Sequence, residues 1–424
     1  MAPRLTPAGQ RARPVSPDGG RWLVATPEYE GLTTYTGGIG THYAGLLPAL
    51  VAAGADVDLL VLAGEPLTST SAPGGVALLG TAPIRGRGVL AVAQRARAVA
   101  RASRARSYDR VFLPEWGALG ASLARRTPLL TNLATSTALQ NQVSGYSPAS
   151  FGWRRGAVQV VQSHLEVRQI RRSAGVIAIS RAMAARSGQM LGRLPPSRVV
   201  PNTVDLARIR SLAQAGSVPG WWPRTGPTIL FVGRLERRKG VLEAAAAFGR
   251  LCRTHPDAHL VLAGSSGDAR FEPDKRDLLD LVPADARGRV HLVGHVPAEQ
   301  LHAWVRAAAV VTCPSLWEGF GNAALEAKAL GAAVVVTRGS GFDDFCADEE
   351  DCLMVAPGDA DGLARAVARL LDDATLRDRL GQAAARSADA YAPERVAPLL
   401  LTAADELLGP VRRERTGATS SRPS

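Results

Sequence analysis

Short runs of consecutive apolar residues, each closed by a glycine-rich or polar turn and followed by an apolar stripe at helical spacing, recur along most of the chain. RWLVATPEY (Arg21–Tyr29) stays apolar until it reaches a loop, which suits a strand buried on both faces. VDLLVLA (Val57–Ala63), Val111–Leu113, LLTNLATS (Leu129–Ser136) and GVIAIS (Gly175–Ser180) read the same way. Between them the spacing predicts helices over about Thr41–Ala53, Leu90–Ser103, Val158–Arg172 and Arg181–Leu191, with Gly54 as a helix C-cap. A second block repeats the scheme. Its predicted strands are Thr228–Val232, His259–Ala263, Arg289–Val296, Val310–Cys313 and Ala333–Thr337. Its predicted helices start at Val241 and cover Leu301–Ala308, Ala323–Leu330 and Asp361–Leu371, with closing helices to about Leu408. Residues 64–88 carry no clear pattern. Strand–helix alternation in two blocks marks an α/β protein with two doubly wound parallel sheets.

The predicted boundaries follow composition. Residues 1–20 and 410–424 read as disordered tails, 21–205 as a first domain, and 206–226 as a linker, Gly/Pro-rich from 211. Residues 227–385 form the second domain and 386–409 the closing helices. A chain of 424 residues can build two such cores. No apolar run approaches the ~20 residues of a membrane span, and the N-terminus lacks the apolar stretch of a secretory signal. A cytoplasmic protein is expected. Cys252, Cys313, Cys346 and Cys352 show no metal or disulfide spacing and read as reduced, buried thiols. The net charge of +12 comes from 50 basic against 38 acidic residues. Much of the arginine, such as Arg95, Arg97, Arg101, Arg104 and Arg106, falls on a predicted exposed helix, and no nucleic-acid motif accompanies it. This reads as a mostly solvated face, with weak support for peripheral contact at the inner face of a membrane.

The chemistry concentrates in PSLWEGFGNAALEAKALGAAVVV (Pro314–Val336). Gly319 and Gly321 let a ligand approach the backbone, and their amides, with those of Phe320 and Asn322, open a helix. A helix start has unpaired N–H groups and partial positive charge, so it suits a phosphate. Glu318 before the turn and Glu326 two helical turns later suit hydroxyls. Phosphate and hydroxyls together suggest a nucleotide sugar. Arg234 and Lys239 flank the turn of GRLERRKG and offer a donor fork and a compact charge to a diphosphate, whereas Arg237 and Arg238 read as solvated. Glu326 is assigned to the ribose diol, and Glu318 to the hydroxyls of the sugar. A second glycine turn, Gly37-Gly38-Ile39-Gly40, opens the first helix. Glu115 and Trp116 follow a strand at the edge of the crevice and are candidates for the acceptor side. His164, alone on an amphipathic helix, reads as a surface or satisfied residue rather than a catalytic one. No Asp-x-Asp motif lies at a suitable strand end, and no metal is expected.

Taken in order from about Trp22 to Tyr391, these motifs resemble the EGFG-type Glu-x₇-Glu signature of retaining glycosyltransferases of the GT-B fold, group 1 family. The resemblance implies two Rossmann-like domains facing across a cleft. It implies that the turn bearing Gly38 and Gly40 closes over the donor diphosphate, that Val296 meets the base through its backbone, and that the last helices cross back to the first domain. Gly341, Phe342 and Asp344 fall where the family has a Gly-x-x-Glu loop. One departure stands out: the family's histidine after the strand at 129 is replaced by Leu133 or Ala134. The expected activity is metal-independent, retaining transfer of a hexosyl-type sugar, without a cofactor. The donor would be UDP- or GDP-linked, and the acceptor a small molecule, a glycan or a lipid-linked intermediate. The missing histidine motivates an alternative, a catalytically impaired nucleotide-sugar-binding protein. A sugar-nucleotide epimerase of similar fold is a further alternative.

Overall fold

The computed structural model describes residues 19–34, 36–81, 84 and 86–411. Among these described residues thirteen strands form two sheets in which every pairing is parallel. The first sheet holds β1 (Arg21–Thr26), β2 (Asp56–Val61), β3 (Ala77–Thr81), β4 (Arg110–Pro114), β5 (Leu129–Leu133), β6 (Gly175–Ala178) and β7 (Ser197–Val199), in the order β3-β2-β1-β4-β5-β6-β7. The second holds β8 (Thr228–Val232), β9 (His259–Ala263), β10 (Val290–Gly294), β11 (Val310–Cys313), β12 (Val334–Thr337) and β13 (Leu353–Val355), in the order β10-β9-β8-β11-β12-β13. Both are doubly wound. The strand order reverses between β1 and β4 in one sheet and between β8 and β11 in the other. A parallel sheet opens a ligand crevice beyond the carboxyl ends of its strands at such a point.

The central strands are wholly buried, as their unbroken apolar runs require: β4, β5, β6, β11 and β12 expose no residue. One core cluster spans the halves. It joins Leu133, Ile179 and Met183 of the first to Phe320, Ala324 and Phe342 of the second. The last helix, Pro393–Leu408, returns to the first half, where Val396, Ala397 and Leu400 pack with Leu46, Leu47 and Leu50. Its Asp405 pairs with Arg110 of β4 at 2.8 Å.

Three differences from the sequence reading have simple causes. Strand β3 lies in the stretch without a pattern, because a short edge strand such as ALLGT needs no alternation. A helix over Thr137–Ser144 fills a stretch to which the sequence reading assigned no element; it is polar in sequence but is capped by Ser136, whose side chain accepts the Leu139 amide. The linker begins with a helix, Leu206–Ala215, that buries Ile209 and Ala213, and Trp222 further on packs against Trp304. The tails expected over 1–20 and 410–424 lie largely outside the described residues. Gly19 and Gly20, however, are buried, and the Trp22 indole donates to the Gly19 carbonyl at 2.8 Å.

Candidate functional site

The two reversal points face each other across one cavity of about 510 Å³. Pro27 and Glu28 after β1 and Trp116 after β4 line it from the first half. Arg234 after β8 and Ser315 after β11 line it from the second. Of the residues singled out from the sequence, Arg234, Lys239, Glu318, Gly319, Phe320, Gly321, Asn322 and Gly38 all reach this cavity. Gly40, Glu326 and Val296 do not line it. The Gly40 amide is spent on Glu28, and Val296 lines a separate groove with Trp221, His291 and Trp304. Glu326 sits about one turn along the helix that starts at Asn322, with its carboxylate 3.6 Å from His302.

The second-half wall is a compact charge network. Glu318 is 8% exposed and pairs with Lys239; Ser315 donates to it at 2.9 Å, and the Arg238 guanidinium lies 3.7 Å away. Burial alone would raise the Glu318 carboxyl. Lys239 and Arg238, with the Lys239 and Ser315 hydrogen bonds, outweigh that and hold it below the usual carboxylate range. Arg238 is therefore not the solvated side chain its place in a charge run suggests: it is half-buried between Glu236 at 3.3 Å and Glu318. Arg237 is exposed. Arg234 keeps 47% of its side chain exposed while bonding Glu236 at 2.8 Å, so most of its donors face the cavity or solvent. Lys239 has three N–H donors.

Backbone donors complete this wall. The helix Asn322–Ala329 starts at Gly321, whose φ of +108° suits glycine, and a Cβ there would lie 2.2 Å from the Phe342 ring. Among the described residues the amides of Phe320, Gly321 and Asn322 make no hydrogen bond. Burial pushes the Cys313 thiol, on the same wall, up to about 12, so it stays neutral.

The first-half wall brings no lysine or arginine to the cavity. Its glycine turn is already occupied: Glu28 accepts the Gly37 amide through Oε2 and the Gly40 amide through Oε1, both at 3.1 Å. Glu28 escaped the sequence reading because its partners come 9 and 12 residues later, and no local pattern marks them. His42, likewise overlooked, lines the cavity from the helix Gly38–Ala52. Its Nδ1 accepts the Thr203 amide at 3.1 Å, which leaves the proton on Nε2. Burial pulls its pKa down to about 3, so the imidazole is neutral. At the position of the missing histidine, Leu133 packs in the core while Ala134 and Thr135 line the cavity. Trp116 lines it too, but Glu115 is buried behind it, accepting the Ala134 amide at 2.9 Å. Burial pushes that carboxyl up to about 8. His164 is exposed, as read.

The walls are latched at several points. Asn322 accepts from Asn202 at 2.9 Å and donates to the Gly38 carbonyl at 3.3 Å. Ser180 donates to the Gly319 carbonyl at 2.6 Å, and the Arg181 amide donates to Asp344 at 2.9 Å.

The comparison with known proteins matches this layout half by half. The family model of glycosyltransferase family 4 matches residues 36–208, and that of glycosyl transferases group 1 matches residues 221–387. A D-inositol 3-phosphate glycosyltransferase from Paenarthrobacter aurescens is 30% identical over 312 residues, covering 69% of this chain and 72% of that protein. The chain belongs to the group 1 glycosyltransferases. A glycogen synthase from Mycobacterium tuberculosis is 34% identical over 235 residues, 55% of this chain and 54% of that protein, so the chain spans about half the length of that relative. Among solved structures, the sucrose-phosphate synthase from Thermosynechococcus elongatus aligns with a TM-score of 0.71 at 23% identity, covering 91% of this chain and 98% of that one. Anabaena HepE, solved with UDP-glucose, aligns with a TM-score of 0.64 at 17% identity, covering 90% and 99%. These likenesses show that this glycosyltransferase has the GT-B fold. Among its described residues no cluster of three or more His, Cys, Asp or Glu is arranged to hold a metal ion, and no helix is long and apolar enough to cross a membrane.

Proposed function

We propose that this enzyme transfers a sugar from a nucleotide-diphosphate sugar to an acceptor hydroxyl with retention of anomeric configuration. The observation that carries the reading is the convergence of Arg234, Lys239, Glu318 and the unpaired Phe320–Asn322 amides on one cavity facing the Gly38 turn. In the reaction the anomeric C–O bond to the diphosphate breaks, and its electron pair stays on the phosphate oxygen. The acceptor oxygen bonds the anomeric carbon on the same face, and its proton passes to the departing phosphate. Negative charge grows on the leaving group, and preorganised donors that need not reorient are the most effective stabilisers. Lys239, Arg234 and the turn amides supply them, in the role a divalent cation would otherwise fill. Glu318 orients Lys239 and is placed to accept sugar hydroxyls.

Glu326 and Val296 lie outside this cavity's lining, and this reading assigns them to the ribose and the base of the donor. UDP is a reasonable first donor base, because HepE was solved with UDP-glucose. Inositol phosphates and lipid-linked inositols are acceptors to try, given the names of the relatives. The test has two steps. Thermal shifts with UDP-, GDP- and ADP-sugars identify the donor, and NMR of the first product reads its anomeric configuration. Inverted product, or no shift with any nucleotide sugar, defeats the reading.

A further inference from the structure

Eleven large apolar side chains are exposed among the described residues, and five of them gather on two helices of the first half. Val89 and Leu90 begin the helix Val89–Ala105; Trp153, Val160 and Val161 lie on the helix Gly152–Arg172. The helices touch, and Gly88 at the start of the first lies against Val158 of the second. Trp153 is 79% exposed, and the Arg154 guanidinium rests over its ring at 5.0 Å. Along the second helix Trp153, Ala157, Val160, Val161 and His164 form one exposed stripe at helical spacing. Along the first, Leu90 continues into Arg97 and Arg104 on the outer face.

The charge on these helices has one sign. Residues 86–107 contain no Asp or Glu, and residues 137–172 contain only Glu166, which is fully buried. An amphipathic face with Trp and branched aliphatics at its centre and arginine at its rim fits the boundary of an anionic bilayer. Apolar side chains enter the acyl edge, and guanidinium groups meet the phosphates. Nucleic acid would use the arginines but would leave Leu90, Val160 and Val161 against water. We propose that this outer face is an interfacial docking surface for an anionic lipid bilayer.

The inner side of the same helix gives docking a consequence. Glu166 accepts from the Gly117 amide at 3.0 Å, from the Thr137 amide at 2.8 Å and hydroxyl at 2.9 Å, and from Gln162 at 2.8 Å. It thereby fixes the loops that carry Trp116 and Thr135 into the cavity. Lipid would bind one side of a helix whose other side shapes the first-half wall of the site.

The test is co-sedimentation of the full chain with phosphatidylcholine vesicles, with and without phosphatidylglycerol, and needs no turnover. Wild type should sediment with the anionic vesicles at low salt, and raised salt should release it. Trp153→Ala with Arg154→Glu, and separately Leu90→Gln with Arg97→Glu, should each cut the bound fraction about tenfold or more. Exposed positions should leave the melting temperature unchanged, and the two independent pairs guard against one that misfolds. Three results would overturn the proposal: no sedimentation of wild type, equal sedimentation with neutral vesicles, or full binding in both variants. Binding of single-stranded RNA without vesicle binding would also overturn it.

Discussion

Two glycine turns open two helices on opposite walls of the same cavity, and in the sequence they look alike. Gly37–Gly40 and Gly319–Gly321 each follow a strand and present N–H groups at a helix start. The structure separates them. The first has taken a carboxylate of its own chain, Glu28, which occupies two amides. The second leaves its amides open and sits among Arg234, Arg238 and Lys239. A turn of this shape is an anion receptor only when nothing in the chain has already filled it. On the proposed reading the second half is the anion-binding wall, whereas the first half brings shape, polar groups and no cation to the cavity.

Substitutions can break or sharpen that contrast. The largest effect belongs to Lys239→Ala, which removes a cation and leaves buried Glu318 facing Arg238 alone. kcat/KM should fall about 10²–10³-fold in steady-state transfer assays. Glu326→Ala should come next, weakening nucleotide-sugar affinity in calorimetry by about tenfold or more. If both variants keep wild-type kinetics, the second wall is not the donor wall. Glu28→Ala frees the Gly37 and Gly40 amides. It should lower kcat about tenfold by loosening the turn, while donor affinity measured by calorimetry stays nearly constant. An equal loss of donor affinity would place diphosphate on both turns and erase the asymmetry.

The smallest expected effect is a pH trend on the first-half wall. Glu115 is held at about 8, above the ordinary carboxylate range, so the fold prefers its protonated form. Its contribution to stability is complete below the ordinary carboxylate pKa and is lost as pH rises through about 8. Glu115→Gln should flatten that part of the melting-temperature profile. A slope identical in variant and wild type would show that Glu115 is already ionised.

The architecture was readable because parallel strands buried on both faces must be written as apolar runs, and turns after them as glycine. The charged wall was readable for the same reason: Arg234 and Lys239 lie between β8 and the helix after it, and Glu318 and Gly319–Asn322 between β11 and the start of the next helix. What escaped depends on chain segments meeting from afar. Arg238 looks like part of a solvated RRK run until Glu236 and Glu318 close on it. Glu28 and His42 take their roles from Gly40 and Thr203, and neither partner leaves a local mark. Val296 lies two residues past the end of its strand, which stops at Gly294, and it opens onto the Trp221 groove rather than the main cavity.

The hydroxyl of Ser180 holds the carbonyl of Gly319, in the very peptide that precedes the open amides. Any swing of one lobe away from the other therefore tugs on the segment that, on the proposed reading, faces the departing phosphate. On that reading hinge motion and grip on the leaving group would be mechanically coupled, since opening the cleft would pull on the donor clasp.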